Sequence, residues 1–236
     1  MRPVLILRPE PGASDSAERA EAIGLISVTA PLFTVRPLSW QAPDPHLFAA
    51  VLLTSANAAR HGGDGLAAYR DLPCYTVGEA TAAAARDAGF RDIRVGEGAG
   101  EDAVRLAAGD GARHILHLCG RDHKKVEAPG VSVTRLPVYA ADAIDGLPGE
   151  ALQAIRAQAL ILLHSARAAS HFGRLLDQAG LARSDIELAA ISAAAARAAG
   201  GCWRAKHIAA APRDDALLEL AAKLCHIPAM SMGSRR

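Results

Sequence analysis

VLLTSANAA, at residues 51–59, contains the clearest boundary between a strand and a helix in this sequence. Three apolar residues suited to a buried strand come first, and an alanine-rich run typical of a helix comes last. Between them stand Thr54 and Ser55, and serine is a preferred residue at a helix N-terminus. The stretch therefore predicts a buried strand that ends at Thr54 and leads directly into a helix.

A second copy of this pattern occurs later in the chain, as ILLHSARAA at residues 161–169. Two shorter matches follow in the same order, 76–83 with 190–197 and 101–103 with 214–216. Three matches in one order, at a nearly constant offset, indicate an internal repeat. We therefore predict two similar α/β units.

Short apolar runs alternate with helical segments along the rest of the chain. The predicted strands are residues 4–7, 26–29, 50–53, 74–77, 93–95, 114–118, 160–163, 187–191 and 207–209, and residues 131–140 are predicted to be extended. The predicted helices are 14–24, 56–70, 80–89, 101–108, 150–158, 166–180, 193–200 and 214–225. The predicted N-caps are Ser14, Ser55 or Asn57, and Ser165. Continuous apolar strands followed by helices are typical of parallel sheets covered on both faces, so the predicted fold class is α/β.

The two units become equal in size if the first strand, helix and strand, residues 3–29, join the sheet of the second unit. The chain would then cross between domains twice, in extended segments that contain Pro37 and Pro137. We expect a two-stranded linker and an active-site cleft between the two domains. The predicted division is 1–33 plus 142–236 for one discontinuous domain, 41–135 for the other, and 34–40 and 136–141 for the linkers.

Composition excludes several classes of protein. Lys+Arg (26) and Asp+Glu (25) nearly cancel, so the basic excess of a nucleic-acid-binding protein is missing. Apolar runs fall short of the roughly 18–20 residues that span a bilayer, and the start lacks a signal-peptide core, so we expect a cytoplasmic protein without membrane contact. The four cysteines are scattered without a C-x-x-C pair, which argues against a disulfide framework or a zinc site.

The candidate binding residues stand where predicted strands end and helices begin. Open α/β sheets bind ligands at the carboxyl ends of their strands, and the first N–H groups of a helix favour anions. Thr54, Ser55 and Asn57 form one such boundary, and Ser165 with Ala166 forms the equivalent one in the second repeat. The alternative is that Ser55 and Ser165 only cap their helices.

A third boundary contains Gly78 and Thr81, and its equivalent in the second repeat contains Ser192 and Ala193. Gly78 would allow a ligand to approach the backbone closely. Together these boundaries predict sites for a small polyanion. The sequence contains no phosphate-binding glycine motif and no G-x-S-x-G motif.

The densest basic cluster is GRDHKK at residues 120–125, directly after a predicted strand. Gly120 and Arg121 could form a loop that meets carboxylates or phosphates, and Arg8 follows the first strand in the same topological position. The alternative for this loop is a solvated surface turn. The acidic pair Asp214 and Asp215 stands at a predicted helix start. We expect these carboxylates to cap that helix and to interact with its dipole, not to act in catalysis.

These motifs, in this order and spacing, resemble the uroporphyrinogen-III synthase family over essentially the whole chain. The segments that carry the resemblance are VLILRPEP at residues 4–11, TSANA at 54–58, VGEATA at 77–82, the pair Gly120-Arg121, PVY at 137–139 and HSA at 164–166. One segment departs from the family pattern, because residues 191–196 read ISAAAA where the family often has threonines. A role for a threonine hydroxyl is therefore in doubt there, whereas backbone N–H donation is unaffected.

The resemblance implies a lyase that converts hydroxymethylbilane to uroporphyrinogen III, with loss of water and inversion of the last pyrrole ring. It implies no metal and no organic cofactor, and a polycarboxylate tetrapyrrole as substrate. Tyr139 in the linker is the candidate catalytic residue, which would assist departure of the hydroxyl group; the alternative is a packed hinge aromatic. We expect a monomer that makes transient contact with the upstream enzyme, the one that forms hydroxymethylbilane.

Two other functions remain open from the residues alone. Two similar α/β lobes joined by crossing strands also describe a cytoplasmic protein that binds a small anion without chemistry. An enzyme acting on phosphate esters is the third alternative, although no metal or phosphate motif supports it.

Overall fold

The computed structural model describes residues 2–226, which form eleven strands and eight α-helices. The strands are β1 (Val4–Ile6), β2 (Ser27–Thr29), β3 (Phe33–Pro37), β4 (Ala50–Leu53), β5 (Cys74–Thr76), β6 (Ile93–Val95), β7 (His114–Gly120), β8 (Ser132–Ala143), β9 (Leu160–Leu163), β10 (Glu187–Ala190) and β11 (Ala205–Ile208). The helices are α1 (Gly12–Ala22), α2 (Ala56–His61), α3 (Glu79–Asp87), α4 (Gly100–Gly109), α5 (Gly149–Arg156), α6 (Ala166–Gln178), α7 (Ala193–Ala198) and α8 (Asp214–His226).

The chain divides into two compact units. Unit 1 contains the residues up to Thr34 together with those from Ala143 onward, and unit 2 is Val35–Asp142. The sheet of unit 1 has the order β11-β10-β9-β1-β2, and the second sheet has the order β3-β8-β7-β4-β5-β6. The first two strands of the chain therefore lie in the same sheet as its last three strands.

Both sheets are built on one plan. The order β11-β10-β9-β1-β2 corresponds strand by strand to β6-β5-β4-β7-β8, and every one of these neighbouring pairs is parallel. The repeated stretches fall on β4 with α2 and on β9 with α6, the equivalent positions of this plan. The predicted α/β class with parallel sheets is confirmed.

Alternate residues of the internal strands pack on opposite faces of the sheet, as strand geometry requires. In β4, Val51 and Leu53 pack with residues of α2 and α3, whereas Ala50 and Leu52 pack with residues of α4. All four β4 side chains are fully buried, and so are all four of β9. Helices on both faces explain why these strands are apolar throughout instead of alternating.

The two passages of the chain between the units lie in β3 and β8, which are hydrogen-bonded neighbours. Leu38 N donates to Val138 O at 2.9 Å, and Ile144 N donates to Leu32 O at 3.1 Å. From the first bond to the second, the residue number falls along β3 and rises along β8, so the two strands are antiparallel. The cleft expected between the domains stays a prediction.

Two local predictions are wrong. The helix predicted over 56–70 ends at His61, because Gly62 and Gly63 follow it and Gly63 has a φ of 65°; a 3-10 helix, Asp64–Tyr69, takes the rest. Ser14 is not an N-cap, because α1 begins at Gly12 after Pro11. Proline at the preceding position leaves no N–H unsatisfied there. Ser55 and Ser165 are N-caps as predicted.

Candidate functional site

Unit 2 contains a pocket of about 370 Å³ at the carboxyl ends of β4, β5 and β7. This is the edge at which open parallel sheets bind ligands. The pocket is lined by Thr54, Ser55, Val77, Gly98, Ala99, Gly100, Glu101, Gly120, Asp122, His123, Lys124, Val126 and Tyr139. Of the residues predicted from the sequence, the structure brings Thr54, Ser55, Gly120 and Tyr139 to this one pocket.

The boundary between β4 and α2 supplies two of these lining residues. Ser55 has an extended backbone, and its Oγ accepts a hydrogen bond from the N–H of Asn57 at 3.2 Å. Thr54 Oγ1 lies 2.8 Å from Nε2 of His117 in β7. Ser55 thus caps α2 and lines the pocket, so capping and a binding role do not exclude each other here. The Asn57 side chain is not part of the lining.

His117 is fully buried, and sequence reasoning did not select it as a site residue. Burial lowers the pKa of His117 to about 4, with smaller contributions from the nearby charges of His123 and Arg135. The imidazole is therefore neutral at physiological pH. The signal for it in the sequence is a histidine inside an otherwise apolar strand, HILHLCG at residues 114–120.

Tyr139 reaches the pocket because β8 pairs with β7 through an irregular register. Cys119 is opposite Pro137, but Gly120 is opposite Tyr139, so one residue of β8 is skipped. The N–H of Arg121 then donates to Tyr139 O at 2.8 Å. A β-bulge of this kind redirects a side chain, and here it accompanies the placement of the tyrosine against the pocket.

The basic loop after β7 is divided between two environments. His123 and Lys124 line the pocket, and His123 Nδ1 lies 2.9 Å from Gly120 O. Arg121 is directed to a protein carboxylate instead, with its Nη2 2.6 Å from Oδ1 of Asp142. A hydrogen bond from Arg36 and one from Arg121 hold the pKa of Asp142 below its ordinary value. Arg121 is therefore outside the pocket lining.

The boundary between β5 and α3 contributes Val77 to the lining. Gly78 is the N-cap of α3, with a φ of 178° and no side-chain cap, and a Cβ there would meet nothing within 4 Å. The glycine is thus not required by the backbone angle, but it leaves the space beside the helix start open. Thr81 lies in the first turn of α3 and is buried, away from the pocket lining.

Sequence reasoning also missed the segment before α4. Gly98, Ala99, Gly100 and Glu101 line the pocket, where the ten-residue helix α4 begins. The signal was the glycine-rich run GEGAG at residues 96–100, which matches no phosphate motif but follows β6 directly. Glycines at a helix start leave backbone N–H groups accessible to an anion.

The equivalent strand ends of unit 1 carry the remaining predicted residues. Ser165 Oγ accepts from Ala168 N at 3.1 Å at the start of α6, and Ser192 Oγ accepts from Ala195 N at 3.3 Å at the start of α7. Ala166 and Ala193 are the first residues of these helices. Each of these strands therefore leads into a capped helix, as β4 does in unit 2.

Arg8, which follows β1, belongs to a polar cluster in unit 1. Arg8 Nη1 lies 3.1 Å from Ser16 Oγ and 3.5 Å from Oδ1 of Asp214, while Arg19 Nη2 lies 2.9 Å from Oδ2 of the same carboxylate. His164 Nε2 is 2.8 Å from Asp214 Oδ1. Ser16 Oγ also donates to Asp214 Oδ1, at 2.9 Å. Asp214 therefore holds four side chains together, which goes beyond the dipole and capping role predicted for it.

The protonation states in this cluster follow from its contacts. Burial lowers the pKa of His164, although its hydrogen bond to Asp214 opposes this. Burial would raise the pKa of Asp214, but hydrogen bonds from His164 and Ser16 and the charge of Arg19 hold it below its ordinary value. The cluster thus contains an ionised carboxylate between two arginines and a histidine that is predominantly neutral at physiological pH.

Within residues 2–226, no helix is long and apolar enough to cross a membrane. In the same range, no group of three or more histidine, cysteine, aspartate or glutamate side chains is arranged to hold a metal ion.

The model of one protein family, described as Uroporphyrinogen-III synthase HemD, matches residues 14–219. The chain belongs to the uroporphyrinogen-III synthase family. That match covers well over half of the chain and confirms the predicted family and the predicted function in tetrapyrrole biosynthesis, as a cyclising lyase. No curated protein matches the chain.

A solved structure agrees with this membership at the level of the fold. The chain is similar to a uroporphyrinogen-III synthetase from Helicobacter pylori, with 19% identity and a TM-score of 0.64, over 95% of this chain and 100% of that one. A mutant uroporphyrinogen III synthase from Thermus thermophilus matches with 14% identity and a TM-score of 0.48, over 94% of this chain and 99% of that one.

Proposed function

We propose that this uroporphyrinogen-III synthase family member binds hydroxymethylbilane at the strand ends described above and closes it to uroporphyrinogen III. The observation that carries the assignment of the site is the pocket of unit 2, in which Thr54, Ser55, Lys124 and Tyr139 meet at one sheet edge. Hydroxyl groups, an ammonium group and helix N-termini are all suited to carboxylates. These groups fit the carboxylates of a tetrapyrrole, and the lining also contains the carboxylates of Glu101 and Asp122.

The binding roles follow from the chemistry of each group. The hydroxyls of Thr54 and Ser55 and the start of α2 would contact one carboxylate, and Gly78 and Gly120 would let substrate approach the backbone. Asn57, Thr81 and Arg121 lie outside the pocket lining, so we propose that they support these loops rather than touch substrate in unit 2. In unit 1, the proposed substrate contacts are Arg8, Ser165, Ala166, Ser192 and Ala193.

The first chemical step is loss of the terminal hydroxyl of hydroxymethylbilane as water, which leaves a reactive azafulvene. We propose that the phenol of Tyr139 donates a hydrogen bond to the departing hydroxyl, because its side chain lines the pocket. The leaving group needs only modest assistance, so a phenol with one positioned hydrogen is sufficient. A strong acid is not required in this step.

The second step determines which isomer forms. The substituted carbon of the last ring must attack the azafulvene, so that a spiro intermediate forms, fragments and closes again with that ring inverted. In water, attack by the unsubstituted carbon is faster, so the protein must hold the chain in the geometry that favours the other attack. Orientation of bound substrate is the main contribution of the protein, and several separate carboxylate contacts would supply it.

The direct test is incubation with freshly generated hydroxymethylbilane, followed by oxidation and separation of the uroporphyrin isomers. The expected product is isomer III, in excess over isomer I from spontaneous closure. Formation of isomer I alone, with saturable binding of the tetrapyrrole, would favour the alternative of a binding protein without catalysis. A chain denatured by heat serves as the control for spontaneous closure.

We further propose that the protein acts as a monomer in the cytoplasm, without metal or organic cofactor, and receives its labile substrate through transient contact with the upstream enzyme. The resemblance to the family supports the absence of a metal and of an organic cofactor. Sedimentation of the purified chain tests the first, and activity after treatment with EDTA and dialysis tests the absence of a metal requirement.

A further inference from the structure

His117 forms part of the wall behind the pocket of unit 2. It is fully buried in β7, and its Nε2 lies 2.8 Å from Oγ1 of Thr54, which lines the pocket. Its ring packs edge-on against that of His123, another lining residue, with the ring centres 5.9 Å apart. The reaction as proposed above gives this buried imidazole no role.

The hydrogen bonds of His117 define its tautomer. Its Nδ1 is buried and meets no hydrogen-bond partner in the part of the chain that the structure describes. A neutral imidazole carries one N–H group and one acceptor nitrogen. A buried N–H without an acceptor is rarer in proteins than a buried acceptor without a donor. The hydrogen therefore lies on Nε2, which donates it to Thr54 Oγ1.

This tautomer directs the hydroxyl of Thr54. A hydroxyl group has one hydrogen to donate and can accept two hydrogen bonds. Because Thr54 Oγ1 accepts from His117, its own hydrogen is available for an acceptor on the pocket side. A hydroxyl that already accepts a hydrogen bond is also a better donor, since chained hydrogen bonds polarise one another.

We propose that His117 is a positioning residue that keeps the Thr54 hydroxyl oriented as a hydrogen-bond donor to a substrate carboxylate. This inference rests on the proposed function, because it requires substrate in the pocket of unit 2. His117 itself does not touch substrate. Because Nδ1 of His117 is also buried, it forms no competing hydrogen bond within residues 2–226 that would turn the ring away from Thr54.

The tautomer is measured on the unchanged chain, labelled with ¹⁵N-histidine and assigned by triple-resonance NMR at neutral pH. We expect His117 to show a protonated Nε2 and an unprotonated Nδ1. A protonated Nδ1 would overturn the proposal, because Thr54 would then donate its hydrogen to Nε2. This readout needs no substitution and does not depend on the folding of any variant.

Steady-state kinetics with hydroxymethylbilane tests the coupling between the two residues. Thr54→Val and His117→Leu each remove one partner at similar volume, and each should raise KM about ten-fold with kcat within about three-fold. The double variant should be no worse than either single one, because both remove the same contact. His117→Gln, whose amide N–H can occupy the position of Nε2, should restore KM to within about two-fold.

Fully additive effects of the two substitutions, or loss of kcat and melting temperature at unchanged KM, would show that His117 has only a packing role. Failure of the proposed function is a different result, in which the unchanged chain forms no uroporphyrinogen III above the spontaneous background. An active chain with additive substitutions would overturn the positioning role alone.

Discussion

Tyr139 packs directly over the backbone of Gly120. A Cβ built on residue 120 would lie 2.7 Å from Cζ and 2.9 Å from the hydroxyl oxygen of Tyr139. Real Cβ atoms do not approach other atoms so closely, so any side chain at position 120 would displace the tyrosine. The glycine after β7 and the tyrosine in β8, 19 residues apart in the sequence, therefore form one structural unit at the pocket.

We expect Gly120→Ala to lower kcat/KM about ten-fold or more, because the added methyl group pushes the Tyr139 ring from its position in the pocket. The isomer assay with hydroxymethylbilane measures this. Gly109→Ala is the matched control: it lies at the end of α4, where a Cβ meets nothing within 4 Å, and it should leave activity unchanged. Equal activity of the two variants would contradict a role for this contact.

Tyr139→Phe keeps the ring and removes the hydroxyl. If the phenol assists departure of the hydroxyl group, kcat should fall about ten-fold or more, while the melting temperature changes little. Tyr69→Phe is the control with the same chemical change, because the Tyr69 hydroxyl donates to Pro43 O at 2.7 Å in the core. It should reduce stability by about 1 kcal/mol and leave turnover intact. Unaltered turnover in Tyr139→Phe would assign Tyr139 a packing role.

The capping serines test whether hydroxyls or backbone N–H groups bind substrate. Ser55→Ala and Ser165→Ala should each reduce the free energy of unfolding by about 1 kcal/mol, since each loses the cap of its helix. If the backbone donors carry substrate binding, KM should stay within about two-fold. Ala56→Pro, which removes the N–H at the first position of α2, should then impair activity more than either serine variant. The reverse ranking would assign binding to the hydroxyls.

The stability of unit 1 should fall in acid because of Glu187. Arg2 donates a hydrogen bond to it, and His207 adds a second, so that the pKa of Glu187 is lowered to about 2. A carboxylate whose pKa is lowered by folding stabilises the folded state at pH values above its ordinary pKa of about 4.5. That stabilisation is lost as the pH falls towards about 2. We expect a loss of about 3 kcal/mol in this window, measured by urea unfolding.

Glu187→Gln should remove most of this pH dependence and lower stability at pH 7. Asp71→Asn is the control, because the pair that Asp71 forms with Arg91 is about 80% exposed and should contribute little. A pH profile in Glu187→Gln identical to that of the unchanged chain would show that other carboxylates dominate acid unfolding.

Much of the architecture could be predicted because the central strands are apolar on both faces. In β4 and β9 every side chain is buried, so the sequence shows an unbroken apolar run that a helix must cover on each side. The glycines that end helices, such as Gly89 with a φ of 91°, were equally readable, because few other residues adopt that conformation. The internal repeat likewise indicated equivalent strands in both sheets, because its two copies fall on β4 with α2 and on β9 with α6.

The candidate site was predicted only in part. Thr54, Ser55 and Gly120 could be found because a strand end, a helix start and a loop glycine are local features. Tyr139 could be found because the family resemblance marked it. His117, Lys124 and the segment 98–101 join them through strand order and loop path, which no local pattern contains. Arg121 shows the opposite case: its charge suggested a ligand, but Asp142 of β8 takes its hydrogen bond.

Local rules of burial, capping and chain direction therefore suffice for most of the elements and for the parallel α/β class, whereas the family was indicated by the resemblance of its short motifs. The identity of the residues that share the pocket depends on contacts between segments far apart in the sequence. The bulge between β7 and β8 that sets Gly120 opposite Tyr139, and the approach of His117 to Thr54, follow from strand register. Register is fixed by the packing of a whole sheet, because a shift of one residue reverses the direction of every side chain that follows.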